Sequence, residues 1–423
     1  MSGGGPDRTL VDAGTIEEIA LGATVLGTGG GGDPHVGKLV ARQAIEEHGP
    51  VELLDPATLD DDAFVVPTAQ MGAPTVSVEK LPGGDEAVAA LERVEAAVGR
   101  EADATMPIEC GGINSTFPFA VAARRGLPVV DADGMGRAFP ELHHETFNVY
   151  GVDGTPAAVA DERGDTCLLE TGDNERLEWL ARGITVRMGG VAYVSDYPMS
   201  GREVRETAIH GTMSLAREIG AAVRAADGDV TGAIREATAG SSYGAAETLF
   251  EGKIVDVERR TRRGFVVGHV DVAGLGPDEG RTMTVEFQNE NLGARVRDAA
   301  GTGPETGTDA VGTDSGAGTD AVGTDPGTGT DADDWEWLAT VPDLLTVLDR
   351  ETGDPIPTER LRYGARVRVL GIPTPEIMRT DAALDVWGPR TFGLDTDFVP
   401  VTDPGAGAGP EPGSGPGPGG ERA

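Results

Sequence analysis

The sequence predicts an α/β N-terminal domain with a mostly parallel sheet, followed by a β-rich α+β C-terminal region. Before about residue 150, short apolar runs typical of buried strands alternate with segments whose apolar residues recur at helical spacing. Such alternation predicts parallel strands with helices on both faces of the sheet. After that point strand-like segments and a hairpin predominate. We assign residues 14–165 to the first domain, and 166–298 together with 335–402 to the second.

The first domain begins with helices. Thr15 and Glu18 form a T-x-x-E capping box, which marks a helix start. A second helix is predicted to begin at Asp33 and Pro34, which suit the N-cap and first helical positions. The remaining elements are strands at 51–54 and 63–66, an amphipathic helix at 85–98, and a strand–helix–strand unit within 104–130.

The second domain is predicted to be mixed and to lean towards strands. Strands are expected at 166–170, 184–194, 282–288, 344–349 and 366–370, helices at 174–182, 202–225 and 233–237, and a hairpin at 253–272. Residues 299–334 repeat Gly-Thr-Asp without apolar residues spaced to build a core, so we expect a flexible acidic insertion. Residues 1–13 and 403–423 are expected to be disordered.

The charge of the chain limits its partners. The net charge is −37, and the acidic residues are spread along the sequence. This pattern is typical of a dense acidic surface in a high-salt cytoplasm, and it argues against binding to nucleic acid or to anionic membranes. The two cysteines, Cys110 and Cys167, suggest no disulfide framework. No apolar run approaches the ~20 residues of a membrane span. The N-terminal residues do not have the pattern of a signal peptide. We therefore expect a cytoplasmic protein.

Acidic side chains follow two successive predicted strands near the centre of the chain. Glu109 and Cys110 end the first strand, and Asp131 and Asp133 end the second. The carboxyl ends of parallel strands are where α/β sheets bind ligands, and carboxylates there can act as acids, bases or metal ligands. The alternative for each acid is structural: Asp131 and Asp133 would cap the following turn, and Glu109 would be solvated.

The spacing of these groups suggests two kinds of chemistry. Asp131 and Asp133 are two residues apart, so side-chain alternation would place both on one side of the strand. Two carboxylates held close together repel each other, so either a cation lies between them or one of them has a raised pKa and stays protonated. If the cation is a divalent metal, Glu141 and His144 are further candidate ligands. Cys110 lies near a helix N-terminus, which would lower its pKa and make it a nucleophile; the alternative is a small buried core residue.

A glycine run is a candidate substrate contact. Bare N–H groups of Gly29, Gly30, Gly31 and Gly32, followed by Asp33 at a helix start, could hold an anionic or carbonyl oxygen. The run lacks the Lys-Ser/Thr of a phosphate loop and the strand that precedes a dinucleotide loop, so a nucleotide-dependent enzyme is the weakest hypothesis. A tight helix–helix corner remains the alternative.

A second candidate contact is FQNENL at 287–292. Asn289 and Glu290 follow a strand, and an amide beside a carboxylate can read both donor and acceptor edges of a cyclic ureide. A polar turn is the alternative.

Several long motifs resemble the S-methyl thiohydantoin desulfurase family, long listed as a domain of unknown function. They are LGTGGGGDP, MGAPTVSVEKL, IECGGINS, PVVDADGMGRAFPEL, GKIVDVERRTRRGF, FQNENL, LRYGARVRVL and GPRTFGLD. The resemblance extends from about Gly14 to Phe398, interrupted by the insertion. It implies that water replaces the methylthio group of an S-methyl thiohydantoin, giving a hydantoin and methanethiol.

Such a hydrolysis needs a base for water, donors for the charge that develops on the ring nitrogen, and an acid for the departing thiolate. On chemical grounds we assign Asp131 and Asp133 to water activation or metal binding. We assign Glu109 and Asn114 to the ring N–H and C=O.

Other roles and partners stay open. Arg137 would bind an acidic side chain of the substrate or form an ion pair with Glu141. No cofactor is identified, and a divalent metal is the open candidate. Family relatives occur beside hydantoinase and oxoprolinase-type proteins, so the rival hypothesis is an accessory subunit that binds the ring without turnover. A homo-oligomer or a hydantoinase-type partner is consistent with either hypothesis.

The acidic composition predicts that stability depends on salt. Repulsion among charges that sum to −37 is screened by ions, so the melting temperature should rise from low salt to molar potassium chloride. Thermal unfolding followed by circular dichroism measures this directly. A melting temperature that stays level or falls would contradict the prediction.

Overall fold

A computed structural model describes residues 9–32, 34–73, 76, 79–80, 82–262, 265–298 and 335–402. The predicted acidic insertion at 299–334, the predicted disordered tail at 403–423, residues 1–8 and Asp33 lie outside the described residues. Among the described residues, no helix has the length and apolar character needed to cross a bilayer.

The first half of the chain builds a mixed sheet. Its strands, with two further short ones, are β1 (Thr9–Val11), β2 (Val51–Leu54), β3 (Phe64–Gly72), β4 (Ala104–Met106), β5 (Val129–Val130), β6 (Ala132–Asp133), β7 (Ala157–Ala160), β8 (Thr166–Leu169), β9 (Val191–Ser195), β10 (Met199–Ser200) and β11 (Ile209–His210). The order is β1-β2-β5-β4-β3-β9-β7-β8, and β10 pairs with β3. Strands β2, β5, β4 and β3 are parallel neighbours, whereas the flanking pairs are antiparallel. The short strands β6 and β11 pair separately.

Helices surround this sheet. They are α1 (Thr15–Leu26), α2 (Pro34–His48), α3 (Asp85–Val98), α4 (Phe117–Arg125), α5 (Thr146–Val149), α6 (Asn174–Arg187), α7 (Gly201–Thr207), α8 (Thr212–Ala225) and α9 (Val230–Ala239). Helix α3 shows how they attach: Ala87, Ala90, Leu91 and Val94 recur at helical spacing and are buried in one cluster with strand residues such as Val66.

The second half builds an antiparallel sheet. Its strands are β12 (Glu247–Arg262), β13 (Phe265–Gly274), β14 (Arg281–Gln288), β15 (Glu290–Asp298), β16 (Glu336–Thr340), β17 (Leu344–Asp349) and β18 (Arg366–Ile372), followed by helix α10 (Asp381–Trp387). The order is β16-β15-β14-β13-β12-β18-β17. The predicted fold class is confirmed: parallel strands and helices form the N-terminal region, and the C-terminal region is rich in strands.

Several predicted elements are wrong in detail. Residues 9–11, predicted to be disordered, pair as β1 with β2. Residues 184–187 continue α6, and the strand begins only at Val191 because Gly189 and Gly190 take positive φ values of 95° and 91°. The helix predicted at 202–225 is two helices, because β11 pairs with β6 and Gly211 adopts a φ of 77°.

The change of sequence pattern does not coincide with a change of sheet. Strands β8, β9 and β10 follow residue 165, yet they belong to the first sheet. The predicted limit between 165 and 166 therefore falls inside the first sheet. A short strand such as β8, with one exposed and two half-buried residues, gave no sign of which sheet it would join.

Helices α1 and α8 cross in direct backbone contact. A Cβ atom added at Gly22 would lie 1.8 Å from the carbonyl oxygen of Ala216, and one at Gly220 would lie 1.9 Å from that of Glu18. Helix α1 then leads into residues 27–32, which we call the glycine corner. Thr346 of β17 donates to the carbonyl of Val25 at 2.7 Å, which anchors the end of α1, and Asn291 N–H donates to Thr28 C=O at 2.8 Å, which anchors the corner to the second sheet.

Replacement of Gly22 by alanine should destabilise the protein. The added methyl group forces α1 and α8 apart, and overpacking of this kind typically costs about 1–3 kcal/mol. Gly183 of α6 is the matched control, because a Cβ there meets no atom within 4 Å and alanine is the better helix former. Urea unfolding should show a lower midpoint for Gly22→Ala and an equal or higher one for Gly183→Ala. Equal midpoints for Gly22→Ala and the wild type would contradict the contact.

Candidate functional site

A small inner cavity lies where three of the predicted site segments meet. The loop after β4, the glycine corner and the turn between β14 and β15 each form part of its wall, and its volume is about 70 Å³. Several waters or one edge of a small ring would fill it, since one water needs roughly 10–15 Å³ on this scale. Its wall includes Gly31, Gly32, Gln70, Glu109, Asn114, Asn289 and Glu290.

Glu109 has one carboxylate oxygen that is held and one that is not. Asn114 donates to its Oε1 at 2.6 Å, and Oε2 has no hydrogen-bond partner among the described residues. The Asn114 amide is fixed by both backbone groups of Gln70 in β3. Burial raises the pKa of Glu109 well above its ordinary value, and the charge of Glu290 acts in the same direction. Asn114 thus holds Glu109 in position.

Glu290 reaches the cavity from the start of β15. Its side chain is buried, Gly31 N–H faces Oε1 at 3.4 Å, and Oε2 has no partner among the described residues. Burial raises the pKa of Glu290 to about 8, and the positive charge of Arg137 partly offsets this. A Cβ atom at Gly30 would lie 2.2 Å from Oε1, so glycine is required at position 30 for the carboxyl to lie here.

The glycine corner packs against the loop that carries Glu109. Ile113 N–H donates to Gly31 C=O at 2.8 Å, and a Cβ atom at Gly112 would lie 2.0 Å from that oxygen. The corner is therefore a close backbone contact, which was the alternative interpretation. Binding of an anionic oxygen, the predicted role, is disfavoured because the carboxyl group of Glu290 already lies against the corner. Asp33, predicted with the glycines, is outside the described residues.

Asn289 makes the turn that presents Glu290. It adopts a positive φ of 58°, its N–H donates to Val266 C=O at 2.7 Å, and its Oδ1 accepts from Val266 N–H at 2.9 Å. Thr358 donates to its carbonyl at 2.6 Å. The polar-turn alternative thus holds for Asn289, and its carboxylate neighbour reaches the cavity.

Arg137 does not take either of its predicted roles. Its side chain is fully buried and donates to Thr28 Oγ1 at 2.8 Å and to the carbonyl oxygens of Asn291 and Asp343 at 2.7 and 3.0 Å, with further bonds to Ala138 and Pro342. Glu141 instead lies beside two histidines. The prediction was wrong because a guanidinium can bind carbonyl groups inside a fold as well as carboxylates at its surface.

Asp131 and Asp133 are held by different backbone segments. Asp131 caps α8, accepting from the N–H groups of Met213 and Ser214 at 2.9 and 3.0 Å and from Ser214 Oγ at 2.5 Å. Asp133 Oδ2 accepts from the N–H groups of Cys110, Met135 and Gly136 at 2.7–3.2 Å. The prediction of one shared carboxylate site is wrong, because β5 ends at Val130 and the chain turns between the two acids.

The raised pKa predicted for this pair has a different cause. Burial raises the pKa of Asp133 to about 7 and also raises that of Asp131. Neither residue is at the wall of the inner cavity, and among the described residues no group of three potential metal ligands within 4.8 Å includes either one. Both therefore have the geometry of the structural caps that the sequence left open as an alternative.

Cys110 is not an activated thiol. Its side chain is fully buried, and burial raises its pKa well above the ordinary value, with the charge of Asp133 acting in the same direction. The sequence predicted a lowered pKa, so this part of the nucleophile hypothesis is wrong. The N–H of Cys110 binds Asp133, and its sulfur lies 3.9 Å from the hydroxyl of Tyr243.

A large cleft of about 2300 Å³ adjoins the inner cavity, and we call it the outer cleft. Glu141 and Arg182 contribute to the walls of both spaces, so they lie at the junction. His143 and His144, also at the wall of the outer cleft, each place Nε2 3.6 Å from Oε2 of Glu141. Of the predicted metal candidates, the structure thus brings Glu141 and His144 together and leaves the two aspartates apart.

Sequence reasoning missed four polar residues in and around this region. Gln70 and Arg182 reach the inner cavity. Gln70 lies in an apolar strand and Arg182 makes an ordinary i,i+4 pair with Glu178, so neither stood out in the sequence.

Glu145 and Asp196 are fully buried, and none of their carboxylate oxygens has a partner among the described residues. Burial raises the pKa of Asp196 to about 8 and that of Glu145 well above its ordinary value. An acid between the apolar residues of VAYVSDYPM was the available signal for Asp196.

Fold and site together define an α/β protein with a β-rich second region and a buried carboxylate cavity between the strand ends. Family models identify it further. The S-Me-THD-like N-terminal domain matches residues 14–171, and the S-Me-THD-like C-terminal domain matches residues 172–401. The chain belongs to this family, which confirms the resemblance to S-methyl thiohydantoin desulfurases. No curated protein matches the chain.

A solved structure shares the architecture. It is an X-ray crystal structure of a protein from Chromobacterium violaceum, with a TM-score of 0.67 and 23% sequence identity. The alignment covers 93% of this chain and 100% of the other. At this identity the likeness shows the fold.

Asp133 should make stability depend on pH. Its pKa is raised from 3.8 to about 7 in the fold, so between those values the folded protein keeps a proton that the unfolded chain has released. Stability from this group is therefore lost as pH rises through about 7. Asp133→Asn removes the titration, so the melting temperature of the variant minus that of the wild type should increase from pH 5 to pH 8. A difference that is constant across this range would contradict the assignment.

Proposed function

We propose that this protein hydrolyses an S-methyl thiohydantoin, or a closely related cyclic ureide bearing a sulfur leaving group, at the inner cavity. One observation carries the proposal: Glu109 and Glu290 reach the same small cavity from different segments of the chain, each with an oxygen that has no partner among the described residues. Buried polar atoms are normally paired, so oxygens of this kind are suited to a ligand. Membership of the family supplies the class of substrate.

The reaction replaces a C–S bond by a C–O bond without oxidation or reduction. Water adds to the amidine-like ring carbon and loses both of its protons as the C=O group forms. The neighbouring ring nitrogen gains one proton, and the sulfur leaves with its bonding electrons and the other proton as methanethiol, so any group that donates a proton regains one from the water. Two groups able to donate protons are therefore needed near the ring. Burial raises the pKa of Glu290 to about 8 and that of Glu109 well above its ordinary value, which favours the protonated forms that can donate.

The shape of the site suits a ring with a polar substituent. The inner cavity accepts the reacting edge of the ring, while the outer cleft has space for the remainder. Arg182 at the junction is paired with Glu178 at 2.6 Å and stays partly exposed. We assign to Arg182 the recognition of an acidic substituent, a role that the sequence had given to Arg137.

Removal of the Glu290 carboxyl should abolish most turnover. Glu290→Gln keeps the shape of the side chain but cannot exchange a proton, so kcat should fall by about 100-fold or more. The wild-type rate should also decline as pH rises through about 8, where Glu290 loses its proton. Release of methanethiol from S-methyl thiohydantoin propionate in molar potassium chloride, followed with a thiol reagent, measures both.

Glu95→Gln is the matched control for this experiment. Glu95 is also a buried glutamate, but it lies in α3, pairs with Arg125 at 3.0 Å and does not contact the inner cavity. Its variant should keep its rate even if it is less stable. Full activity of Glu290→Gln would contradict the proposed role, and ring binding without thiol release by the wild type would favour an accessory subunit.

A further inference from the structure

Three potential metal ligands occupy the junction between the two spaces. Glu141, His143 and His144 follow Pro140 in the loop before α5. Their ligand atoms all lie within 4.8 Å of one another. Glu141 is part of the wall of both the inner cavity and the outer cleft, so a group bound here would lie at the entrance to the inner cavity.

The distances between these atoms fit a tetrahedral ion better than hydrogen bonds. Each histidine Nε2 lies 3.6 Å from the same oxygen, Oε2 of Glu141, which is longer than a good hydrogen bond. Zinc binds histidine nitrogen and carboxylate oxygen at about 2.0–2.2 Å, so neighbouring ligand atoms of a tetrahedron are roughly 3.3–3.6 Å apart. An octahedral ion such as magnesium, with bonds of about 2.1 Å, would hold adjacent ligands roughly 3.0 Å apart.

The surroundings of the histidines support metal binding. His144 is almost completely buried, so water competes little for its ring nitrogens. The arrangement combines two imidazole rings with a carboxylate, the ligand types that zinc takes in proteins.

We propose that Glu141, His143 and His144 form a three-ligand site for a divalent cation of the zinc type, with its fourth position open to the entrance of the inner cavity. Two histidines and one glutamate with an open position are the ligand set of several catalytic zinc sites. This assignment of ligands stands on the geometry alone.

The consequence for the reaction rests on the proposed function. Under that proposal Glu109 and Glu290 act as proton donors, so the attacking water needs a separate group to activate it. A cation at the junction would lower the pKa of a bound water and supply the hydroxide that forms the C–O bond. The electron pair of the broken C–S bond then leaves on sulfur, and a glutamate donates its proton there.

A second three-ligand group provides the control. Asp256, His269 and Asp271 lie on neighbouring strands β12 and β13, and their burial ranges from exposed to half-buried. Exposed carboxylates bind metals weakly because water competes for the ion. His269→Gln should therefore leave tight binding unchanged, whereas changes at the junction should remove it.

The test uses the full chain, freed of metal by a chelator and then titrated with zinc or cobalt in molar potassium chloride. Calorimetry and elemental analysis should show one tight site per chain, and cobalt should give the visible absorption of tetrahedral coordination. Glu141→Gln and His143→Gln, at half-buried positions that tolerate substitution, should each weaken binding by about 100-fold or more. Folding of each variant is checked by circular dichroism.

The outcomes separate the two proposals. No tight site in the wild type, or loss of it in His269→Gln with retention in Glu141→Gln, would overturn the metal site. Turnover by metal-free protein would remove the cation from the reaction and leave the hydrolase proposal in place. A metal-loaded protein that releases no methanethiol would overturn the proposed function while the junction site stands.

Discussion

The site depends on one buried cation. The Arg137 guanidinium joins the loop after β6 to Thr28 in the glycine corner and to the backbone of Asn291 and Asp343 in the second sheet. Burial lowers its pKa only to about 10, so it remains charged at neutral pH. A buried charge is tolerated only when its donors are satisfied, and here they all bind neutral oxygen atoms of the chain. Removing this group would leave several carbonyl groups unpaired in the region where the two sheets meet.

This constraint explains why the acids of the inner cavity can be close together. Glu109 and Glu290 are buried, and their pKa values are raised mainly because burial penalises the charged form. Arg137 offsets part of that penalty for Glu290, and the remainder is relieved by keeping protons. Asn114 donates to the carboxyl group of Glu109, and the turn at Asn289, held by Val266, positions the backbone from which Glu290 reaches the cavity. For Glu109, burial outweighs the opposing effect of the Asn114 hydrogen bond on the pKa.

The sequence predicted the elements whose patterns are local. Strands such as 51–54 and the helix at 85–98 have the predicted bounds, because apolar spacing and glycine ends are properties of the segment itself. Pairing of residues far apart was not predictable in this way. The break of the helix predicted at 202–225 depends on β11 meeting β6, which lies more than 70 residues earlier. For the same reason, the sequence did not show that β8, β9 and β10 belong to the first sheet.

For the site, the sequence named Glu109, Glu290 and the glycines as separate candidates, and the structure brings Glu109, Glu290, Gly31 and Gly32 to one cavity. Roles that depend on burial were not predictable from the sequence. Asp131 and Asp133 share a motif, yet Asp131 caps a helix, whereas Asp133 accepts two N–H groups of its own turn and the N–H of Cys110 in the loop after β4. A thiol near a helix N-terminus has a lowered pKa only where water or a positive charge stabilises the thiolate. Cys110 is fully buried, and burial is the largest contribution to its pKa, which is raised.

The interior and the surface of this protein neutralise negative charge in different ways. Surface carboxylates, which contribute to the net charge of −37, are screened by mobile ions over about 3 Å in molar salt. Buried acids such as Asp196 and Glu290 cannot be reached by those ions, so they keep protons instead. Glu141, His143 and His144 differ from these acids in position, because they line the outer cleft and Glu141 also borders the inner cavity. Under the proposed hydrolysis, water would reach the inner cavity past this edge.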